Sequence, residues 1–413
     1  MTTVAIVGSK GIPACYGGFE TLAENLVQQL RSEYSFIVYC SGPAYEEQPV
    51  EHLGARLRYL PLEANGMQSI PYDVISMLDA RRRADIVLIL GVSGCLFLPL
   101  IKMFSRKKFI AHLDGIDWRR SKWGVLARNF LKLSEWVAAH TADQLIADNK
   151  VIQQYIKERY GKDSFLVAYG GDHALVDLPQ TNADSLSVLA MKKTQDWARP
   201  VEDVVPFERY AVLVCRIEPE NNIHVILEAF SRAGSTPLVA IGNWDHSAYG
   251  QTLKEQYRDA ESLCLLDPIY DQDRLFNLRS KADFYVHGHS AGGTNPALVE
   301  AMCLGLPVFA YDVPFNRATT HEAAKYFADA ESLAAHINEI STESLDANGQ
   351  AMRELAEQEY TWTAIAGRYA SLFGGAAVEA ISRELSSVAP REVPGSFVSQ
   401  PGNNVLRQPE QID

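Results

Sequence analysis

Two glycine pairs in this chain stand immediately ahead of helical sequence. Gly17-Gly18 lies in "GIPACYGGFETLAENL", after the apolar run Val4–Val7. Gly292-Gly293 lies in "HGHSAGGTNPALVEAM", which opens on the end of the apolar run Phe284–His287. Beyond the first pair, Phe19, Leu22, Ala23, Leu26 and Leu30 mark one face of a helix over 19–30. Beyond the second, Pro296 marks a helix start, because proline fits the first helical position. A helix N-terminus offers unpaired N–H groups and a positive dipole end, so anions bind there. Glycine lets a ligand approach the backbone with no Cβ in the way. The chemistry these loops suit is contact with a phosphate or a sugar, although the first matches neither G-x-G-x-x-G nor G-x-x-x-x-G-K-[ST]. Glu300, one turn into the second helix, is placed to accept hydrogen bonds from ribose hydroxyls while phosphates meet the N–H groups of Gly292–Asn295.

Two further clusters follow apolar runs. "AHLDGIDWRRSKW" crowds Asp114, Asp117, Arg119, Arg120 and Lys122 beside Trp118 and Trp123. Such density suits hydroxyl and phosphate contacts or an internal ion network, and the tryptophans suit a sugar platform or a core. "CRIEPENN" places Arg216 at a strand's carboxyl end, where a guanidinium can hold a diphosphate through two hydrogen bonds. Asn221 and Asn222 are expected to cap the next helix. Asp271-Gln272-Asp273 resembles a metal-binding D-x-D, but it precedes a helical run and reads as a cap; no metal is expected.

These loops need elements to hold them. Short β-branched runs alternate with helical patterns throughout: Val4–Val7, Phe36–Cys40, Leu57–Leu60, Ile86–Leu90, Phe109–Ala111, Gln144–Ala147 and Phe165–Ala168, then Tyr210–Val214, Leu238–Ile241, Leu263–Leu266, Phe284–His287 and Val308–Ala310. That alternation means parallel sheets with helices on both faces. The expected fold is α/β, with two Rossmann-like doubly wound domains facing a cleft, over 1–180 and 200–357. A final helix over 357–373 is expected to pack back on the first domain. Residues 388–413, with four prolines and little apolar content, read as a disordered tail. Ligands of open parallel sheets bind beyond the strands' carboxyl ends, which is where the four clusters fall.

The 413 residues carry 38 Lys/Arg against 51 Asp/Glu, a net charge of −13 that argues against a general nucleic-acid binder. Residues 81–132 reverse this, with twelve Lys/Arg and three Asp/Glu. That stretch reads either as a solvated face or as a surface meeting an anionic membrane or a phosphate-bearing acceptor. Six cysteines without a C-x-x-C pair read as reduced, buried thiols of a cytosolic protein. The apolar stretch 86–101 is interrupted by glycines and a proline and is shorter than a membrane span.

Taken in order, "GSKGIPACYGGFETLAENL", "DGIDWRRSKW", "IADNKVIQQYI", "AYGGD", "EPENNIHVILEAF", "YDQDRLFNLRSKADFYVHGHSAGGTNPALVEAM" and "DVPFNRATT" resemble family-4 glycosyltransferases of the GT-B fold, in the bacterial branch that includes β-1,4-rhamnosyltransferases. The resemblance implies a retaining transfer of a sugar, L-rhamnose from dTDP-L-rhamnose, to a lipid-linked or polysaccharide acceptor at the inner membrane face. Transfer from a UDP- or GDP-linked sugar, or a GT-B sugar-nucleotide epimerase, is the alternative. It implies no cofactor: the donor's own phosphate takes the acceptor proton. The N-terminal domain would bind the acceptor and the C-terminal domain the nucleotide sugar. Arg216 matches the diphosphate-binding arginine, Glu300 the ribose-binding glutamate, and Gly17 and Gly18 the phosphate-side loop. Gly292 stands where the family has its first glutamate, and Asn221 where it has a lysine. The expected donor contacts are thus Gly17, Gly18, Arg216, Asn221, Gly292, Gly293, Thr294, Asn295 and Glu300. Glu20, Trp118, Arg120 and Lys122 are expected on the acceptor, and Asp114, Asp117 and Arg216 in catalysis.

Overall fold

Val4, Ala5, Ile6 and Val7 are wholly buried, as a central strand covered on both faces must be. The computed structural model describes residues 1–15, 17–113, 118, 124–175 and 205–374. In the first domain the strands are β1 (Thr2–Val7), β2 (Tyr34–Ser41), β3 (Glu51–His52), β4 (Ala55–Leu60), β5 (Ile86–Leu90), β6 (Lys108–Leu113), β7 (Gln144–Ala147) and β8 (Phe165–Leu166). They form one sheet in the order β3-β4-β2-β1-β5-β6-β7-β8. Its pairs are parallel except the short β3–β4 pair. Its helices are α1 (Gly18–Leu30), α2 (Ser69–Arg83), α3 (Leu98–Met103), α4 (Val125–Thr141) and α5 (Lys150–Tyr160). Side chains alternate along a strand, so Val4 and Ile6 join Leu22 and Leu26 of α1 on one face. Ala5 and Val7 join Met77 of α2, Ile101 of α3 and Ile152 of α5 on the other.

The second sheet is wholly parallel and runs β11-β10-β9-β12-β13-β14. Its strands are β9 (Ala211–Val214), β10 (Leu238–Ile241), β11 (Leu263–Leu266), β12 (Phe284–His287), β13 (Val308–Tyr311) and β14 (Lys325–Phe327). The helices are α6 (Ile223–Ala233), α7 (Ala248–Gln256), α8 (Gln272–Ser280), α9 (Pro296–Cys303), α10 (Pro314–Thr319), α11 (Ala330–Asn338), α12 (Thr342–Glu359) and α13 (Trp362–Phe373). Strand order reverses between β1 and β5 in one sheet and between β9 and β12 in the other. Each reversal opens a crevice at the strands' carboxyl ends. The loop after β1 holds Gly17, and the loop after β9 holds Arg216.

Two expectations change, and two short strands are added. The helix expected over 357–373 is two helices, α12 and α13, broken at Tyr360-Thr361. Thr361 accepts a hydrogen bond from the Ala364 N–H (3.3 Å), and Asp172 takes that of Trp362 (2.8 Å), so a new N-terminus is capped there. Strands β3 and β14, of two and three residues, carry too short a pattern to read from sequence. The six thiols are free, but Cys15 is exposed on the opening loop rather than buried. No described helix is long and apolar enough to cross a membrane. The tail expected over 388–413 lies outside the described residues.

Candidate functional site

The opening loop is braced from within. Gly17 has φ 141°, and a Cβ there would lie 2.1 Å from Glu20 Oε2. Only glycine leaves room for that carboxylate and tolerates that backbone. The other oxygen, Glu20 Oε1, accepts the Lys10 N–H at 2.7 Å. Burial pushes the Glu20 carboxyl up despite this bond. Glu20 was expected to face the acceptor; it is 7% exposed and turned inward, shaping the loop instead.

Across the seam stands the second glycine loop. A Cβ on Gly18 would sit 3.4 Å from Pro296 Cγ, at the first position of α9. Tyr169 Oη donates to the Gly18 carbonyl at 2.5 Å, fixing the start of α1. The structure therefore brings the N-termini of α1 and α9 together. Asn295 caps α9 by accepting the Ala297 N–H at 3.0 Å. Thr294 is committed across the seam. Its N–H donates to Asp148 Oδ2 (3.1 Å) and its hydroxyl to the Asp148 carbonyl (2.6 Å). A Cβ on Gly293 would lie 1.9 Å from Asp148 Oδ1, so this glycine is required by close approach. Asn149 joins the same seam through Phe315 O (3.2 Å) and Thr319 Oγ1 (3.1 Å).

Arg216 is held by its backbone and left open at its head. Asn221 Nδ2 donates to the Arg216 carbonyl at 2.6 Å, and Ile217 N–H to Asn243 Oδ1 at 2.8 Å. The side chain is 40% exposed, and the nearest described carboxylate, on Glu218, is 3.8 Å away. Asn221 Oδ1 also meets His289 Nδ1 at 2.6 Å, which laces the Arg216 loop to the one after β12. Asn222 stands at the N-cap of α6, but neither asparagine caps it through its side chain, contrary to expectation. Asn222 takes a left-handed conformation and donates to the Gly288 carbonyl at 2.9 Å, while Asn221 is consumed in the loop. Asp271 does cap α8, accepting the Arg274 N–H at 2.9 Å.

Glu300 lies deep beside these loops. Arg279 Nη1 approaches Oε2 at 2.8 Å, and His173 Nε2 approaches Oε1 at 3.3 Å. Burial alone would raise the Glu300 carboxyl, but the Arg279 guanidinium and His173 outweigh it and hold it below the usual range. A carboxylate kept ionised, with lone pairs left over, can accept hydroxyl hydrogens.

Trp118 is partly buried against the first domain's core, with Lys132 Nζ 4.3 Å from its ring centroid, so one face is already covered. Asp114, Asp117, Arg120 and Lys122 lie outside the described residues. His112 is a group that sequence reasoning missed. It ends in the carboxyl half of β6, 4% exposed, with its ring edge-on to Phe19 at 5.4 Å. Its Nδ1 has no partner among the described residues, and burial pushes the imidazole down to about 3. A polar residue closing an otherwise apolar strand was the signal available. Asp148 and Asn149 gave the same signal after β7.

Comparison with known proteins agrees with this arrangement. Residues 1–172 match the family model described as a domain of unknown function (DUF1972), and residues 198–362 the one described as Glycosyl transferases group 1. Similar solved structures include sucrose-phosphate synthase from Thermosynechococcus elongatus, with TM-score 0.73 and 16% identity over 94% of this chain and 100% of that one. HepE from Anabaena in complex with UDP has TM-score 0.67 and 14% identity over 94% and 100%. A glycosyltransferase from Rickettsia africae has TM-score 0.63 and 14% identity over 94% and 99%. At such identities the likeness is one of fold. Among curated proteins, none matches the chain. Two Rossmann-like domains with facing loops make this a GT-B fold, whose first part is similar to the DUF1972 family and whose second part is similar to the Glycosyl transferases group 1 family.

Proposed function

We propose that the protein moves a sugar from a nucleotide-diphosphate donor to an acceptor hydroxyl, with retention at the anomeric carbon. The observation that carries this reading is the meeting of two helix N-termini, α1 and α9, with the Arg216 loop laced through Asn221 and His289 to the loop that leads into α9. Backbone N–H groups and a guanidinium are the donors a leaving diphosphate needs, and preorganised donors are worth most where charge develops. Glu300 accepts a hydrogen bond from a hydroxyl of the nucleotide's pentose, which in a thymidine donor is the 3′ hydroxyl alone, and the donor's own phosphate takes the acceptor proton.

The donor we propose is dTDP-L-rhamnose, on the motif resemblance. Solved HepE structures hold UDP or UDP-glucose, so uridine donors are the comparison to run. Incubation with dTDP-L-rhamnose, UDP-glucose and a GDP-sugar, each with lipid-linked acceptors, tests it by product NMR. Transfer from UDP-sugars and never from dTDP-L-rhamnose would sink the sugar assignment. A changed sugar nucleotide released without acceptor would make it an epimerase.

A lipid-linked acceptor fits one face of the first domain. Leu126, Leu133 and Trp136 are exposed at helical spacing along α4, and Leu100, Met103 and Phe104 are exposed on and just after α3, which packs beside it. Arg81 donates to the Phe104 carbonyl at 2.8 Å, bringing the basic end of α2 to the same place. Apolar side chains rimmed by Lys and Arg suit an anionic bilayer surface. Flotation with phosphatidylglycerol vesicles, weakened by salt and by Leu126→Glu, is the expected result.

A further inference from the structure

We propose that His173 is a positioning residue that orients Glu300 toward the donor's ribose and ties nucleotide recognition to the two places where the chain crosses between domains. The inference rests on the reading of Glu300 as a donor contact.

The hydrogen on His173 is fixed by its neighbours. Trp362 Nε1 donates to His173 Nδ1 at 2.9 Å. An indole N–H can only donate, so Nδ1 is bare and the ring hydrogen of the neutral imidazole sits on Nε2. That nitrogen faces Glu300 Oε1 at 3.3 Å. Arg279, 3% exposed, holds the other oxygen at 2.8 Å. The carboxylate is gripped from two sides, and each oxygen keeps an acceptor direction for a hydroxyl.

The two grips belong to different parts of the molecule. Arg279 comes from α8, within the same domain as Glu300. His173 follows β8, where the chain leaves the first sheet, and Trp362 begins α13, where it comes back. These crossings are bound to each other: Gly171 N–H donates to the Tyr360 carbonyl at 2.8 Å, and Trp362 N–H to Asp172 Oδ1 at 2.8 Å. The Trp362 ring also packs edge-on against Tyr169 at 5.1 Å. Both crossings therefore converge, through one imidazole, on one carboxylate. Rotation of one domain against the other would move His173 relative to Glu300 while Arg279 stayed in place. The second grip exists only at the domain angle seen here.

Three full-length variants test this by calorimetric titration with UDP, or with dTDP in its place where the unaltered protein does not bind UDP. His173→Gln can place an amide N–H where Nε2 stands. His173→Asn reaches only as far as Nδ1, and His173→Ala supplies neither. We expect the Gln variant to bind UDP within about twofold of the unaltered protein. The Asn and Ala variants should bind about tenfold more weakly, the loss expected for one misoriented hydrogen bond to a charged group. All should melt within a few degrees of one another. UDP affinity unchanged in the Asn variant would overturn the inference. So would a loss shared equally by Gln and Asn, which would mean that the imidazole only packs. An unaltered protein that bound neither UDP nor dTDP would sink the donor reading itself, an outcome distinct from both.

Discussion

Arg216 is the residue whose removal speaks most directly to the donor. Its head is 40% exposed and its nearest described carboxylate is 3.8 Å away, so truncation should cost little stability. Charge-assisted hydrogen bonds are worth roughly 1.5–3 kcal/mol. Arg216→Ala should therefore lower kcat/KM by roughly ten- to a hundredfold with an unchanged melting temperature, measured on the accepted donor. His112 makes a pH prediction. Its imidazole is pushed down to about 3 in the fold, while in the unfolded chain it takes up a proton near 6.5. The stability tied to its neutral form is present above pH 6.5 and is lost as pH falls toward 3, at up to about 1.4 kcal/mol per unit. Urea denaturation at pH 7 and pH 5 should show a shallower drop for His112→Gln than for the unaltered protein. At this scale the sequence showed where Arg216 and the glycine pairs sit, after strands and ahead of helices, because their types and neighbours carry that signal. It could not show what Glu20, Asp148 or His173 touch. The Asp148–Thr294 contact spans 146 residues and the Trp362–His173 contact 189.

Helix α9 is where the element scale matters most. Its N-terminal loop is shaped by a neighbour in another domain, the loop between β7 and α5. Gly293→Ala would drive a methyl to 1.9 Å from Asp148 Oδ1, whereas the same change at Gly18 meets Pro296 at 3.4 Å. Overpacking of this kind costs about 1–3 kcal/mol. Gly293→Ala should show that loss in denaturant midpoints together with a raised donor KM, and Gly18→Ala should show much less of both. Strands Ile86–Leu90, Gln144–Ala147, Leu238–Ile241 and Phe284–His287 were legible to the residue, because buried parallel strands are continuous apolar runs with polar ends, and so was the apolar but half-buried edge strand Leu263–Leu266. The break at Tyr360-Thr361 was not. Thr361 supplies a local cap, but the other half of the N-terminus is held by Asp172, far away in sequence, whose carboxylate captures the Trp362 N–H.

For the whole molecule, alternation of strand and helix made the two-sheet architecture readable, and the cores explain why the halves act together. One apolar cluster runs from Val4 and Leu26 through Val167 and Tyr169 to Leu298 and Met302, and includes Ile365 and Phe373 of α13. Helix α13 lies against α1, Tyr34 Oη donates to the Ala370 carbonyl (3.3 Å), and Lys108 Nζ donates to that of Leu372 (2.6 Å). The first domain is thus completed by the last described helix. On the ribosome, the first sheet emerges some two hundred residues before the helix that covers α1. Until then the side of the first domain that α13 covers, with Tyr34 against Ala370 and Phe373, has no lid, and nascent chains with such bare faces are the ones that aggregate or engage chaperones. A gene fragment ending at residue 172 should accordingly express as insoluble protein, and supplying α13 on a short linker should recover soluble material in a pelleting assay. A shuffled protein that exchanges its first domain would have to bring the Trp362–Phe373 helix with it, from beyond the second sheet.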